Sequence, residues 1–174
     1  MAGNIYIEEN NAYQFDFTSA IWSTDKLNSI YNKTVASVLS DVDFIAEIEK
    51  DMLFVEYKNA NAAGAINPDA FVPSSDKSIL KIAYKFYDSY IYIQACEYKK
   101  PYKYIYILEY PKGDSTTRKL IRNRIASKLP FELQKDNSIK HQIISSFEVL
   151  SIDEWNNNPI YSKFPVSLIN SANI

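Results

Sequence analysis

Two apolar segments separated by three charged residues constrain this chain more than any other feature. Residues 42–48 read "VDFIAEI" and residues 52–58 read "MLFVEYK", with "EKD" between them. Both segments carry the β-branched, aromatic and alternating character of strands. Three residues are too few for a crossover, so the two strands must pair as antiparallel neighbours. Any fold for this chain has to be built around that hairpin.

The segments on either side extend it. Residues 4–17 alternate apolar and polar as a hairpin or an irregular lead, and residues 18–40 are expected to be largely helical. Residues 59–76 hold Gly64, Pro68 and Pro73 and read as a loop. Residues 77–96 are expected to form a long helix, capped by Ser74, Ser75 or Asp76. "YKYIYILEY" over 102–110 alternates tyrosine with isoleucine as a strand. A helix over 115–129 starts at Asp114 or Ser115 and stops before Pro130. "QIISSFEVL" over 142–150 closes the series as a last strand. The helix between the strands at 52–58 and 102–110 makes those two parallel neighbours. The expected fold is therefore α/β: a central mixed β-sheet flanked by helices on both faces, in one domain spanning residues 1–174.

The composition bears on what such a fold can do. The 174 residues include 47% apolar types and 14% aromatics, enough for a sizeable core. No run of 18 apolar residues occurs, so no membrane span or membrane partner is expected. The first eleven residues show no basic and apolar signal pattern, and a cytoplasmic location is expected. Cys96 stands alone, which excludes an internal disulfide and a cysteine cluster, and it is expected to be a buried thiol. His141 also stands alone, so no multi-histidine metal site exists, and it is read as a surface or a satisfied histidine. Three dispersed glycines form no phosphate-cradling loop.

The chemistry concentrates in the hairpin. Side chains alternate faces along a strand, so Met52, Phe54, Glu56 and Lys58 share one face while Leu53, Val55 and Tyr57 share the other. Glu56 and Lys58 thus stand beside buried apolar neighbours, where charges are costly unless paired or bound to something. Taken alone, Glu-Tyr-Lys is an ordinary strand end whose charges reach solvent and pair with each other. The turn changes that reading, because it brings Asp43 beside Glu56 and Lys58. Two carboxylates on neighbouring strands suit Mg²⁺, which takes one or two carboxylates with waters and phosphate oxygens. A lysine next to them can polarise a water or neutralise charge on a phosphate.

With Asp43 and then Glu56-Tyr57-Lys58, each on a hydrophobic strand with a helix following, residues 25–110 resemble the PD-(D/E)XK phosphodiesterase superfamily, the restriction-endonuclease-like fold. Val42-Asp43 stands where the superfamily signature has Pro-Asp. The resemblance implies a metal-dependent endonuclease core acting on DNA, with Asp43, Glu56 and Lys58 as catalytic residues. It further implies Mg²⁺ or Mn²⁺ held by Asp43, Glu56 and the backbone carbonyl of Tyr57. Superfamily members often add an acid from the first helix, for which Asp25 is the candidate and Glu8 or Glu9 the alternatives. A Gln-x-x-x-Tyr pair seen in some members has its spacing in Gln94 and Tyr98, at the far end of the long helix. A member that keeps the fold but not the chemistry, serving as an interaction or accessory protein, is the alternative.

The charge distribution fits a polyanion partner. Residues 1–60 carry ten acids and four bases, whereas residues 99–140 carry eleven bases and four acids. Lys77, Lys81 and Lys85 recur every four residues on one helix face, and Arg118 and Arg122 do the same on the next helix. Lys81, Lys85, Arg118 and Arg122 are the expected nucleic-acid contacts, reaching phosphates rather than reading sequence. On the second helix, Leu120, Ile121, Ile125 and Leu129 are expected to face inward. The pattern leaves room for a homodimer.

Overall fold

The computed structural model describes residues 4–34, 38–61 and 70–169. The expected hairpin is its centre. Strands β4 (Phe44–Glu47) and β5 (Met52–Asn59) pair antiparallel with Phe44 opposite Val55. The Ile48 amide donates to the Asp51 carbonyl to close the turn. Helix α2 (Asp76–Ala95) then carries the chain to β6 (Tyr102–Glu109), parallel to β5, and α3 (Ser115–Ala126) carries it to β7 (Ile144–Leu150), parallel to β6. Ser75 caps α2 through the Ser78 amide and Asp114 caps α3 through the Thr117 amide, two of the expected starts.

Residues 18–40 are less helical than expected. They hold a three-residue strand β3 (Trp22–Thr24), antiparallel to β4, and a short helix α1 (Leu27–Thr34); residues 35–37 lie outside the described residues. Eight residues of the expected loop, 62–69, lie outside them as well. The five strands run β3-β4-β5-β6-β7 in a mixed sheet. A separate three-stranded sheet joins β1 (Ile5–Ile7), β2 (Tyr13–Asp16) and β8 (Val166–Leu168), all antiparallel. The sequence pattern does not announce β8 or the short helix α4 (Ile152–Asn157) before it.

Period-two alternation sorts the core into two layers. Met52, Phe54, Tyr102, Tyr104, Tyr106 and Leu108 face α1, α2 and α3, against Leu27, Ile82, Phe86, Ile121 and Ile125. Leu53, Val55, Tyr57, Ile105 and Ile107 face the other way, against Phe15, Phe17, Val166, Trp155 and Tyr161. Long helices therefore cover one face only. The small sheet and α4 cover the other, where a second helical layer was expected. The tyrosines of β6 are packing residues: Tyr102 and Tyr104 are almost wholly buried and tilt against Phe54 and Phe86 at ring-centroid distances of 4.6 and 5.6 Å.

Three details depart from expectation for local reasons. Helix α3 ends at Ala126, and residues 127–129 continue only as a tightening turn. Its phase puts Arg118 inward and Leu120 outward, because Ile121 and Ile125 alone set the buried stripe. Cys96 caps the end of α2, where packing has run out, and is exposed rather than buried. No described helix is long and apolar enough to cross a membrane.

Candidate active site

The register places Asp43 and Glu56 together. They occupy the step after the Phe44–Val55 pair, where the antiparallel ladder gives out at the start of β4. Asp43 continues the ladder with its side chain, Oδ2 accepting the Tyr57 amide at 2.7 Å. That leaves Oδ1 for another partner. The segment leading to Asp43 is pinned to α2: the Ser40 amide donates to Asp88 Oδ2 and the Val42 amide to Ser89 Oγ.

Glu56 points to the helical face, in line with Phe54, and is only 6% exposed. Its partner comes from α2. Lys85 Nζ donates to both carboxylate oxygens at 2.7 Å and lies 3.8 Å from Asp43 Oδ1. One ammonium thus serves two carboxylates on adjacent strands. Lys85 can do this because it borders the buried stripe of Ile82, Ala83 and Phe86, so its stem runs through the apolar layer and its tip reaches the sheet.

The electrostatics follow from burial. Desolvation pushes the Glu56 carboxyl up to about 8, and the neighbouring charge of Asp43 adds to the rise while Lys85 opposes it. Asp43 is raised for the same first reason, with Lys85 and the Tyr57 amide pulling it down. Burial pulls Lys85 down, but Glu56 and Asp43 outweigh it and hold the ammonium above its ordinary value. The buried phenols of Tyr104 and Tyr106 are pushed well up by desolvation and then by the charge on Glu56.

In front of this cluster lies a cleft of about 510 Å³. Its walls carry Glu8, Glu9, Asp25, Asp41, Asp43, Lys58 and Lys85, together with Asn28 and Asn59. Glu8 is spoken for: its carboxylate accepts the amides of Asn10, Ala12 and Tyr13 and shapes the turn between β1 and β2. Asp41 is buried and accepts the Asn28 side-chain amide at 3.0 Å. Asp25, just ahead of α1, and Glu9 are exposed on the cleft wall, so all three acids expected as auxiliaries reach the cavity.

The expected residues divide as follows. Asp43 and Glu56 come together, with Tyr57 between them committing its amide to Asp43. Lys58 lines the cleft but is exposed, its Nζ 5.9 Å from the centre of the Phe71 ring in cation–π range. The ammonium in contact with the carboxylates belongs to Lys85, which sequence spacing had placed in an outward lysine row. Lys81, one turn earlier, does stay exposed, close enough for its charge to lower the Glu56 pKa. Arg118 is not available to a phosphate. It is buried, with Nε and Nη2 donating to the two oxygens of Glu154 at 2.9 Å. Arg122 is exposed but donates to the Phe147 carbonyl, on α3 beside β7, two strands away from β5. Gln94 joins the Tyr98 carbonyl and the Tyr102 hydroxyl outside the cleft. His141 is exposed, the first of the two settings read for it.

Asp41 is the member that the sequence reading missed, and Lys85, expected as a phosphate contact, serves the carboxylates instead. Asp41 had a signal, since extended chain puts it on the same side as Asp43 two residues later. For a metal ion, the donor set is hard and small. Among the described residues no three carboxylate, histidine or cysteine side chains converge as a metal cluster. Asp43 Oδ1 and the Glu56 oxygens nonetheless already share one cation, the Lys85 ammonium, and two carboxylates suffice for Mg²⁺ when water and phosphate supply the rest. The residues present therefore fit such an ion, provided that Lys85 yields its contact with Glu56. No protein-family model, curated protein or solved structure matches the chain.

Proposed function

We propose that this chain is a divalent-metal-dependent phosphodiester hydrolase acting on DNA, with the restriction-endonuclease-like core that its Asp43 and Glu56-Tyr57-Lys58 pattern resembles. One observation carries the reading: two carboxylates from adjacent strands lie within reach of a single cation, Asp43 and that cation on the wall of an acidic cleft and Glu56 buried beside them. The strand order supports it, since an antiparallel pair followed by a helical crossover to a parallel strand is the arrangement the resemblance implies.

Asp43 and Glu56 would hold Mg²⁺ or Mn²⁺, with the Tyr57 carbonyl as the backbone ligand. Such an ion polarises a phosphoryl oxygen and lowers the pKa of a bound water. Glu9 and Asp25 face the same space and can hold waters around the site. Lys58, at the rim and free of any ion pair among the described residues, is placed to meet a phosphate. Lys81 extends that positive edge along α2. Lys85 offsets the mutual repulsion of the two acids.

The test is cleavage of supercoiled plasmid and of single-stranded DNA in Mg²⁺ or Mn²⁺ by the wild-type protein and by Glu56→Ala. Ion-dependent cleavage lost in Glu56→Ala supports the reading; equal activity in both, or none in either, defeats it. A second reading has its own observation. Lys85 already neutralises both acids, so the cluster is self-sufficient as a structural ion pair, which favours an accessory protein that keeps the fold alone. That version is left standing if wild type neither cleaves DNA nor responds to either ion in a thermal melt.

A further inference from the structure

Beside the acidic cleft, at the same end of the sheet, lies a second hollow of about 300 Å³ lined by Phe71, Val72, Pro73, Tyr110, Lys112 and Thr117, among others. Its position follows from the parallel register. Glu56 stands opposite Tyr106 and Lys58 opposite Leu108, and the Ala60 amide donates to the Glu109 carbonyl just before Tyr110. Tyr110 thus continues the helix-facing row that holds Glu56 and Lys58. Lys58 connects the two spaces: it lines the cleft, and its ammonium sits 5.9 Å from the Phe71 ring that walls the hollow.

The hollow has the features of a seat for a flat ring. Phe71 and Tyr110 meet edge to face, with centroids 6.2 Å apart and planes at 81°. The volume is at the lower edge of the ~300–1,000 Å³ usual for small-molecule pockets. Tyr110 is 7% exposed, and its buried hydroxyl lies within hydrogen-bonding reach of the Thr117 side chain without a well-aligned bond. Lys58 on one side and exposed Lys112 on the other add positive charge at both edges.

We propose, on the basis of the nucleic-acid reading above, that this hollow seats one unpaired nucleobase next to the phosphate held at the acidic cleft, so that the protein engages single-stranded rather than fully paired DNA. Aromatic faces accept any base by stacking, and the flanking ammoniums take the phosphates on either side. A base inside a duplex is stacked and paired, and cannot enter.

The experiment is fluorescence titration of an eight-nucleotide single strand carrying one 2-aminopurine, in EDTA and again in Ca²⁺, alongside the same strand annealed to its complement. Wild type is expected to quench the probe in the single strand and to bind the duplex more weakly. Phe71→Ala is expected to weaken binding roughly tenfold and to abolish the quench, as loss of one stacked base predicts. Phe71→Leu, which keeps the apolar volume, is expected to lose the quench while melting like wild type. Unchanged affinity and quenching in both variants overturns the proposal. If plasmid nicking is present while the variants bind like wild type, the nucleobase seat alone fails. If wild type neither nicks plasmid nor binds either oligonucleotide, the seat and the hydrolase reading fall together.

Discussion

Replacing Lys85 by Met tests the centre of the site most sharply. The change keeps the stem that runs past Ile82 and Phe86 and deletes only the ammonium. In the folded protein the Lys85 side chain is 15% exposed and that of Glu56 8%, with contacts of 2.7 Å to both Glu56 oxygens. Removing one partner of a buried pair leaves the other charge uncompensated, at about 3–5 kcal/mol. For a chain of this size that is a drop on the order of 10 °C in Tm. The loss must depend on pH. The Glu56 carboxyl is already raised to about 8 by burial and by Asp43, and without Lys85 it rises further. A carboxyl raised in the folded state contributes stability that is complete below its unfolded value near 4.5 and lost as pH climbs through the folded value. Wild type and variant both keep Glu56 protonated below about 8, so the deficit of Lys85→Met should be small up to neutral pH, open as pH passes about 8, and grow toward the higher value that Glu56 takes in the variant. A divalent ion should replace the missing charge, adding about 2.7 kcal/mol at a hundredfold excess over its Kd. The assay is a set of urea titrations of wild type and variant from pH 4.5 to about pH 10, with EDTA throughout and with Mg²⁺ up to about pH 8.5. A variant within about 1 kcal/mol of wild type at every pH, and indifferent to Mg²⁺, would refute the reasoning.

Other consequences are quickly checked. Adding the neutral partner change, Lys85→Met with Glu56→Leu, should recover most of the lost Tm, because well-packed apolar replacements of buried pairs are close to neutral. Arg118→Met should lower stability by about 1–3 kcal/mol in urea titrations through loss of its two bonds to Glu154, while leaving the salt dependence of DNA binding unchanged. Lys58→Met should do the reverse, leaving the unfolding free energy within about 0.5 kcal/mol of wild type and reducing the salt slope of binding by about one phosphate contact. Trp155→Ala should cost about 3–5 kcal/mol by chemical denaturation, since its side chain is fully buried and stacked on Tyr161 at 4.7 Å.

Much of the central sheet was legible because its signals are local. The short turn at 49–51 permits one pairing, and Ser75 and Asp114 announce their helices by capping chemistry. Alternation in "MLFVEYK" assigned Glu56 to the buried face before any contact was known. The small sheet and the edge strand β3 of the central one were harder to see. Strands β1, β3 and β8 have three residues each, too few for a period to register, and β8 gains its meaning only from a distant partner. The site was half legible for the same reason. Asp43 and Glu56 are linked by a hairpin, but the ammonium that serves them comes from 29 residues beyond Glu56, on a helix whose rotation the sequence did not fix. In α3 a phase set by two isoleucines left Arg118 and Leu120 interchangeable on paper. The contact with Glu154, which decides the matter, is 36 residues away.

The pairing of β2 with β8 also has a bearing on how the protein comes into being. Gln14 and Ser167, joined across that pair, lie 153 residues apart. On the ribosome the five-stranded sheet and its three helices can assemble as soon as residue 150 has emerged. Phe15, Phe17, Phe44 and Val55 must then wait for Trp155, Tyr161 and Val166 before their side of the sheet is sealed. At synthesis rates of about 5–20 residues per second that interval lasts on the order of a second, ample time for a chaperone to engage the open aromatic face or for two nascent chains to stick together.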